Sequence, residues 1–202
     1  MTENAKPEIV LVGGGGHCRA VIDVIEQEGK YQIAGIVDKE LETGCKILGN
    51  YRVIGRDEQL EKLRKRYDHA LVTVGQIESP QIRIKLYALL LELDFTMPVI
   101  ISPRAYVSEY ADIGAGSVVM HDAIINAGAS VGKNCIVNTK SLIEHDAVVE
   151  DHCHISTATV INGGAVVKKG TFFGSGAVSK EYVETAEFDF IKASTVFKGY
   201  RK

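Results

Sequence analysis

The sequence predicts an α/β domain followed by a parallel β-helix, on two observations. The first is a repeat of six residues that runs without a break from Ile101 to Val178. Stepping by six from Ile101 gives Val107, Ile113, Val119, Ile125, Val131, Val137, Ile143, Val149, Ile155, Ile161, Val167 and Phe173; all thirteen are bulky and apolar, and twelve are β-branched. Four residues after each stands a small residue, from Ala105 and Ala111 through Cys135, Ser141 and Cys153 to Thr171 and Ala177. A helix repeats every ~3.6 residues and a half-buried strand every ~2, so neither explains the pattern. A strict hexad is what a chain coiled and stacked on itself shows. The β-branched residues suit flat inward strands, and the small ones fit the corners. The second observation is an alternation of strand-like and helix-like segments before the repeat, which argues for a small, Rossmann-like parallel sheet.

In chain order, Glu8 to Val12 reads as a buried parallel strand. Gly13-Gly14-Gly15-Gly16-His17 follows at once, then helical spacing at Ala20, Val21, Val24 and Ile25, with Gly29 as the stop. Tyr31 to Val37 is a second strand that ends on Asp38. Asp57 to Tyr67 reads as a helix with Asp57 as its cap, and Ala70 to Val74 as a third strand ending at Gly75. Ser79-Pro80 is a helix start, and that helix runs to about Glu92. The expected division is 1–97 for the α/β domain, 98–178 for the β-helix, and 179–202 for an aromatic segment that caps the last coil, where an uncovered strand edge would invite pairing.

Composition narrows the function. The net charge is −3 over 202 residues, which argues against a nucleic-acid surface. No apolar run approaches the ~20 residues of a membrane span, and Met1 to Glu8 lacks the apolar core of a signal peptide. A cytoplasmic location is expected. Cys18, Cys45, Cys135 and Cys153 have no metal-type spacing. Cys135 and Cys153 stand eighteen residues apart at one hexad position, as small fillers of the same corner.

Two groups of residues point to chemistry. A strand, a glycine loop and a helix N-terminus place backbone N–H groups where an anion binds, and ligands of open parallel sheets sit at the carboxyl ends of the strands. Gly13, Gly14, Gly15, His17, Asp38 and Gly75 all fall at such ends. Cys18 stands where a dinucleotide fingerprint has its third glycine, so NAD is not the expected ligand. The second group is Asn138 to Asp146. His145 and Asp146 fall at turn positions of a hexad. Histidine is suited to take a proton near neutral pH, and an adjacent carboxylate can fix its tautomer. Such a base can take the proton of an attacking amine or hydroxyl; the competing reading of His145 is a solvated surface histidine. His121 shares its hexad position but lies twenty-four residues earlier, on another side of a three-hexad coil, which disfavours a metal cluster. His154 reads either as a packed corner histidine or as a donor to an acyl carbonyl.

The chain resembles the bacterial sugar acyltransferases of the hexapeptide-repeat superfamily, which join a small α/β domain to a left-handed β-helix. Sialic acid O-acetyltransferases and N-acetyltransferases of UDP-4-amino-sugars belong to that group. The matching pieces are Val12 to His17, Gly35 to Asp38, Val53 to Gly55, Val72 to Gly75, Asn138 to Asp146, and His154. The resemblance implies that His145 is the base supported by Asp146. It implies that Asn138, His154 and Gly163 lie at the acetyl-CoA site, and that Gly13, Gly14, Gly15, His17, Asp38 and Gly75 hold a nucleotide-sugar. It also implies a homotrimer with the acyl-CoA groove between subunits. The expected function is N-acetylation of a nucleotide-linked amino-sugar, of the UDP-4-amino type, for surface glycan synthesis. O-acetylation of a sialic-acid-like sugar, or a non-catalytic sugar-binding scaffold, are the alternatives. The chain departs from the pattern at Lys39, where several UDP-sugar enzymes carry a second acid, and in its tail from Phe190 to Lys198.

Overall fold

The computed structural model describes residues 6–200; part of the polar N-terminal stretch and both outer domain limits lie outside them. The described residues divide into two units, 6–75 with 85–98, and 76–84 with 99–200.

The first unit is built on a five-stranded sheet of order β3-β4-β2-β1-β5, with β1 Glu8–Val12, β2 Gln32–Val37, β3 Lys46–Leu48, β4 Tyr51–Gly55 and β5 His69–Val72. β1 runs parallel to β2 and β5, and β2 parallel to β4. Ile9, Val10, Leu11 and Val12 are at most 1% exposed, as expected for a strand covered on both faces. Helix α1 (Gly16–Glu28) follows the glycine loop and stops at Gly29, whose φ of 70° is the left-handed cap and whose N–H donates to the Ile25 carbonyl. The helix expected over 57–67 is a 3-10 turn, Asp57–Gln59, running into α2 (Leu60–Arg64). Its cap differs from expectation: the Gln59 side chain accepts the Arg56 N–H at 2.9 Å. The antiparallel β3–β4 pair is an addition to the expected layout. Helix α3 is Gln81–Glu92, and its Leu86, Tyr87 and Leu90 join the core formed with Val10, Val37 and Val72.

The second unit is a left-handed parallel β-helix of two-residue strands stacked in three sheets. Register is eighteen residues: Val107 lies against Ile125, Ile125 against Ile143, and Ile143 against Ile161. The inward residues form one core that the small corner residues Ala123, Ala129, Cys135, Ala147 and Cys153 complete. Cys135 and Cys153 are free thiols and fully buried, as corner fillers should be. From Gly116 onward each corner turns through one residue of positive φ, among them Asp122, Asn134, Lys140, Asp146 and His152, and glycines at 128, 164, 170 and 176. No α-helix interrupts the coils between Ile113 and Phe173.

The tail corrects the expectation that the coils end at 178. Phe190–Ile191 and Val196–Phe197 extend two of the sheets, and Glu184 forms a bridge to Val166 in the third. The hexad continues through Ser179, Thr185, Ile191 and Phe197. Two inward places hold hydroxyls instead of apolar side chains. They are tolerated because each is hydrogen bonded: Ser179 Oγ accepts the Asn162 N–H and Thr185 Oγ1 the Lys168 N–H, both at 2.8 Å. The cap is confined to the end of the tail, where the Tyr200 ring packs edge-on against Phe197 and its hydroxyl bonds Asp189.

Candidate active site and acceptor loop

In the first unit the expected residues gather at the carboxyl ends of three neighbouring parallel strands, β2, β1 and β5. Gly13 has φ 108°, and a Cβ there would strike the Val74 side chain and lie 2.9 Å from its backbone nitrogen, so only glycine fits. The Thr73 hydroxyl donates to the Gly13 carbonyl at 2.7 Å. The Gly14 N–H donates to Asp38 Oδ2 at 2.7 Å, and Asp38 Oδ1 accepts from the N–H groups of Glu40 and Leu41, each at 2.9 Å. Burial works to raise the Asp38 pKa, but these three backbone donors outweigh it and hold the carboxyl below its ordinary value. Asp38 therefore ties the glycine loop to the end of β2. Gly15 and Gly16 differ from their neighbours: a Cβ on either would meet nothing within 4 Å. No side chain caps α1, and its first turn carries no acid. A helix start without a side-chain cap leaves backbone N–H groups of the kind that can bind an anion. Gly75 approaches His17, whose Cβ would be 3.6 Å from an added methyl.

In the second unit, Glu144 to Ala147 is one corner turn, closed by the Ala147 N–H to the Glu144 carbonyl at 3.3 Å. His145 and Asp146 are its two central residues. Asp146 has φ 58°, the conformation a type II turn needs at its second central residue and one aspartate tolerates. Both side chains are exposed, and His145 Nδ1 donates to Asp146 Oδ2 at 2.8 Å. That bond raises the imidazole above its ordinary pKa of 6.5 and leaves the lone pair on Nε2. Next to it, Asn126 Nδ2 donates to Glu144 Oε2 at 2.8 Å.

His154 belongs to another arrangement. It is 7% exposed; its Nδ1–H donates to the Gln76 carbonyl at 2.6 Å, and its Nε2 accepts from Asn138 Nδ2 at 3.1 Å. The Asn138 oxygen accepts the Thr139 N–H at 2.8 Å. Both His154 nitrogens are committed, so the neutral ring has no proton left for an acyl carbonyl; a ligand would meet the second amide hydrogen of Asn138 instead. Burial pushes His154 down to about 4 from 6.5. The unfolded chain thus takes a proton that the folded chain refuses between these values, and stability falls as pH drops from 6.5 toward 4. The melting temperature of the wild type should fall more steeply over that range than that of His154→Gln; equal slopes would remove His154 as the cause. Gln76 carried no periodic or motif signal in the sequence and was not expected at the site. His121 Nδ1 pairs with Ser102 Oγ at 2.7 Å, away from His145. Among the described residues no group of three or more His, Cys, Asp or Glu could hold a metal ion, and no helix is long and apolar enough to cross a membrane.

Residues 8–90 match the PglD N-terminal domain. No curated protein matches the chain by sequence. Among solved structures, a variant of perosamine N-acetyltransferase from Caulobacter crescentus in complex with CoA and GDP-perosamine is 28% identical, covers 96% of this chain and 90% of its own, and gives a TM-score of 0.89. The acetyltransferase domain of PglB from Neisseria gonorrhoeae FA1090 is also 28% identical, covers 96% of this chain and 92% of its own, and gives 0.86. The same domain in complex with acetyl coenzyme A is 28% identical over 94% of this chain and 90% of its own, with a TM-score of 0.84.

Proposed function

Because the chain belongs to the hexapeptide-repeat sugar acyltransferases that carry a PglD-type N-terminal domain, we propose that it transfers the acetyl group of acetyl-CoA to the amine of a nucleotide-linked amino-sugar. The observation that carries this reading is the exposed His145–Asp146 pair, joined at 2.8 Å on a β-helix corner. A sugar-binding scaffold has no use for such a pair. Asp146 fixes the tautomer with hydrogen on Nδ1, so Nε2 takes a proton from the attacking amine. The new C–N bond forms as the C–S bond breaks, and the proton held on Nε2 passes to the departing CoA thiolate. The thioester is reactive enough that the step needs no Lewis acid. Asn138, His154 and Gly163 are assigned to the acetyl-CoA side of this chemistry, through the Asn138 amide in particular.

The nucleotide of the acceptor is assigned to the open helix start at Gly15 and Gly16, with Gly13, Gly14, His17, Asp38 and Gly75 shaping the loop. A UDP-4-amino-sugar is the proposed acceptor class. The Caulobacter relative binds GDP-perosamine, and Lys39 here follows a single acid, so the base of the nucleotide is the first variable to test. The reaction is placed in the cytoplasm. A homotrimer is proposed on the outer face of one sheet, where Tyr106, Ile124, Leu142, Val160, Val178 and Val196 stack in register without a charge. Tyr106 and Val196 are 59% and 60% exposed. A second copy covering that face would wall the His145 corner, three residues past Leu142. A monomer by light scattering would contradict the trimer.

The test of the activity is thiol release from acetyl-CoA over a panel of UDP- and GDP-linked amino-sugars and sialic-acid-like sugars. Release with a 4-amino-sugar nucleotide is expected. Binding of these ligands with no release from any of them would favour the scaffold, and release with hydroxyl acceptors alone would favour O-acetylation.

A further inference from the structure

We propose that Gly128 and Gly163 are positioning residues for the His145–Asp146 pair, each leaving bare backbone where a side chain would displace one member of it. This deepens the reading of His145 as the base and rests on it. Gly163 stands eighteen residues after His145, one coil on, and Gly128 eighteen before Asp146, one coil back. Adjoining coils are joined here by the Gly164 N–H to the His145 carbonyl at 3.1 Å and by the Asp146 N–H to the Ala127 carbonyl at 3.2 Å. A Cβ on Gly163 would lie 2.8 Å from His145 Nε2 and 2.9 Å from Cε1. A Cβ on Gly128 would lie 2.5 Å from Asp146 Oδ1. Both distances are below what real Cβ atoms show, and the first falls on the nitrogen that must face the amine.

The imidazole is exposed and is hydrogen bonded to Asp146. One hydrogen bond at Nδ1 leaves an exposed ring free to turn about it. The missing Cβ at Gly163 leaves the Nε2–Cε1 edge the place it holds, and the missing Cβ at Gly128 does the same for the carboxylate. The pair thus lies between two bare positions, and any side chain at either would turn the ring or push the carboxylate from Nδ1. The two glycines differ in a useful way. Gly128 has φ 74°, which strains most residues, whereas Gly163 is outside the left-handed region. Alanine at 163 therefore tests the contact without backbone strain. At 128 asparagine is the right probe, since it tolerates left-handed φ while adding the same Cβ.

The experiment is Gly163→Ala and Gly128→Asn in the full chain, with folding checked by circular dichroism. His145 is titrated by NMR through its ring protons, and kcat and both KM values are measured. A misplacement near 1 Å costs roughly a hundredfold in rate. A fall of that order in kcat is expected in Gly163→Ala, with a lower His145 midpoint as the Asp146 bond loosens. Gly128→Asn should lower the midpoint as well. If kcat falls while the midpoint stays at its wild-type value in both variants, Gly163 acts on the ligand and the positioning role is overturned. If the midpoint falls and kcat does not, the positioning role stands and His145 is not the base. Unchanged midpoint and rate in the folded variants overturn the proposal outright.

Discussion

His145→Ala should lose most of its turnover and keep its affinity for acetyl-CoA. General-base catalysis contributes about 10²–10⁴ in rate, and the alanine variant should fall within that range in kcat. The reasoning rests on what His145 does not do as much as on what it does. Its side chain is exposed at the corner, is bonded to Asp146, and contributes nothing to the inward core. Removing it should therefore leave the fold intact, and the melting curve should match the wild type. A thioester still reacts slowly with a free amine, so residual activity is expected and should rise with the fraction of unprotonated acceptor. Single-turnover measurements with saturating acetyl-CoA would isolate the chemical step. Wild-type turnover in His145→Ala would remove this residue from the mechanism.

Gly15→Leu should raise the acceptor KM strongly and leave the acetyl-CoA KM alone. Gly14 is the less informative position. A Cβ on Gly14 would lie 2.9 Å from Leu41 Cδ1, 3.0 Å from Ile47 Cδ1 and 3.3 Å from Asp38 Oδ2, so valine there would break the loop from within. At Gly15 the φ of −74° and ψ of −165° suit any residue, and a Cβ meets nothing within 4 Å. A leucine side chain would fill the space over the helix start without disturbing the protein. If a phosphate binds there, it loses one or more charge-assisted hydrogen bonds, each worth about 1.5–3 kcal/mol. A rise in KM of roughly tenfold to a hundredfold follows for each bond lost. A folded Gly15→Leu variant with wild-type acceptor kinetics would place the nucleotide elsewhere.

Much of this was legible in the sequence, and the failures have physical causes. The hexads from Ile101 to Phe173 read directly because every inward place holds a large apolar side chain. The continuation did not, because Ser179 and Thr185 fill inward places with buried, bonded hydroxyls, and Val183 and Asp189 stand where small corner residues are expected. The β3–β4 hairpin escaped a search for periodicity since β3 has only three residues. Gly49-Asn50 between Leu48 and Tyr51 was its one available sign, with Gly49 at φ 53°. His145 and Asp146 were visible as neighbours. Gly128 required the coil length, since the relation is a step of eighteen and not a motif. The bond from His154 to Gln76 spans 78 residues and had no signature at all.

The most direct measurement of the central claim is the pH dependence of kcat/KM for the acceptor in the wild type and in Asp146→Asn. The base must be neutral to accept a proton, so activity should rise with pH through the His145 midpoint. The Asp146 hydrogen bond raises that midpoint above 6.5, so the acid limb of the wild type should lie above an ordinary histidine. Asparagine lowers the midpoint, and the limb should move to lower pH with a lower plateau above it. Protonation of the acceptor amine is common to both enzymes, so it cannot produce the displacement. An acid limb at the same pH in both would contradict the account, because His145 held by Asp146 would then not be the group that takes the proton.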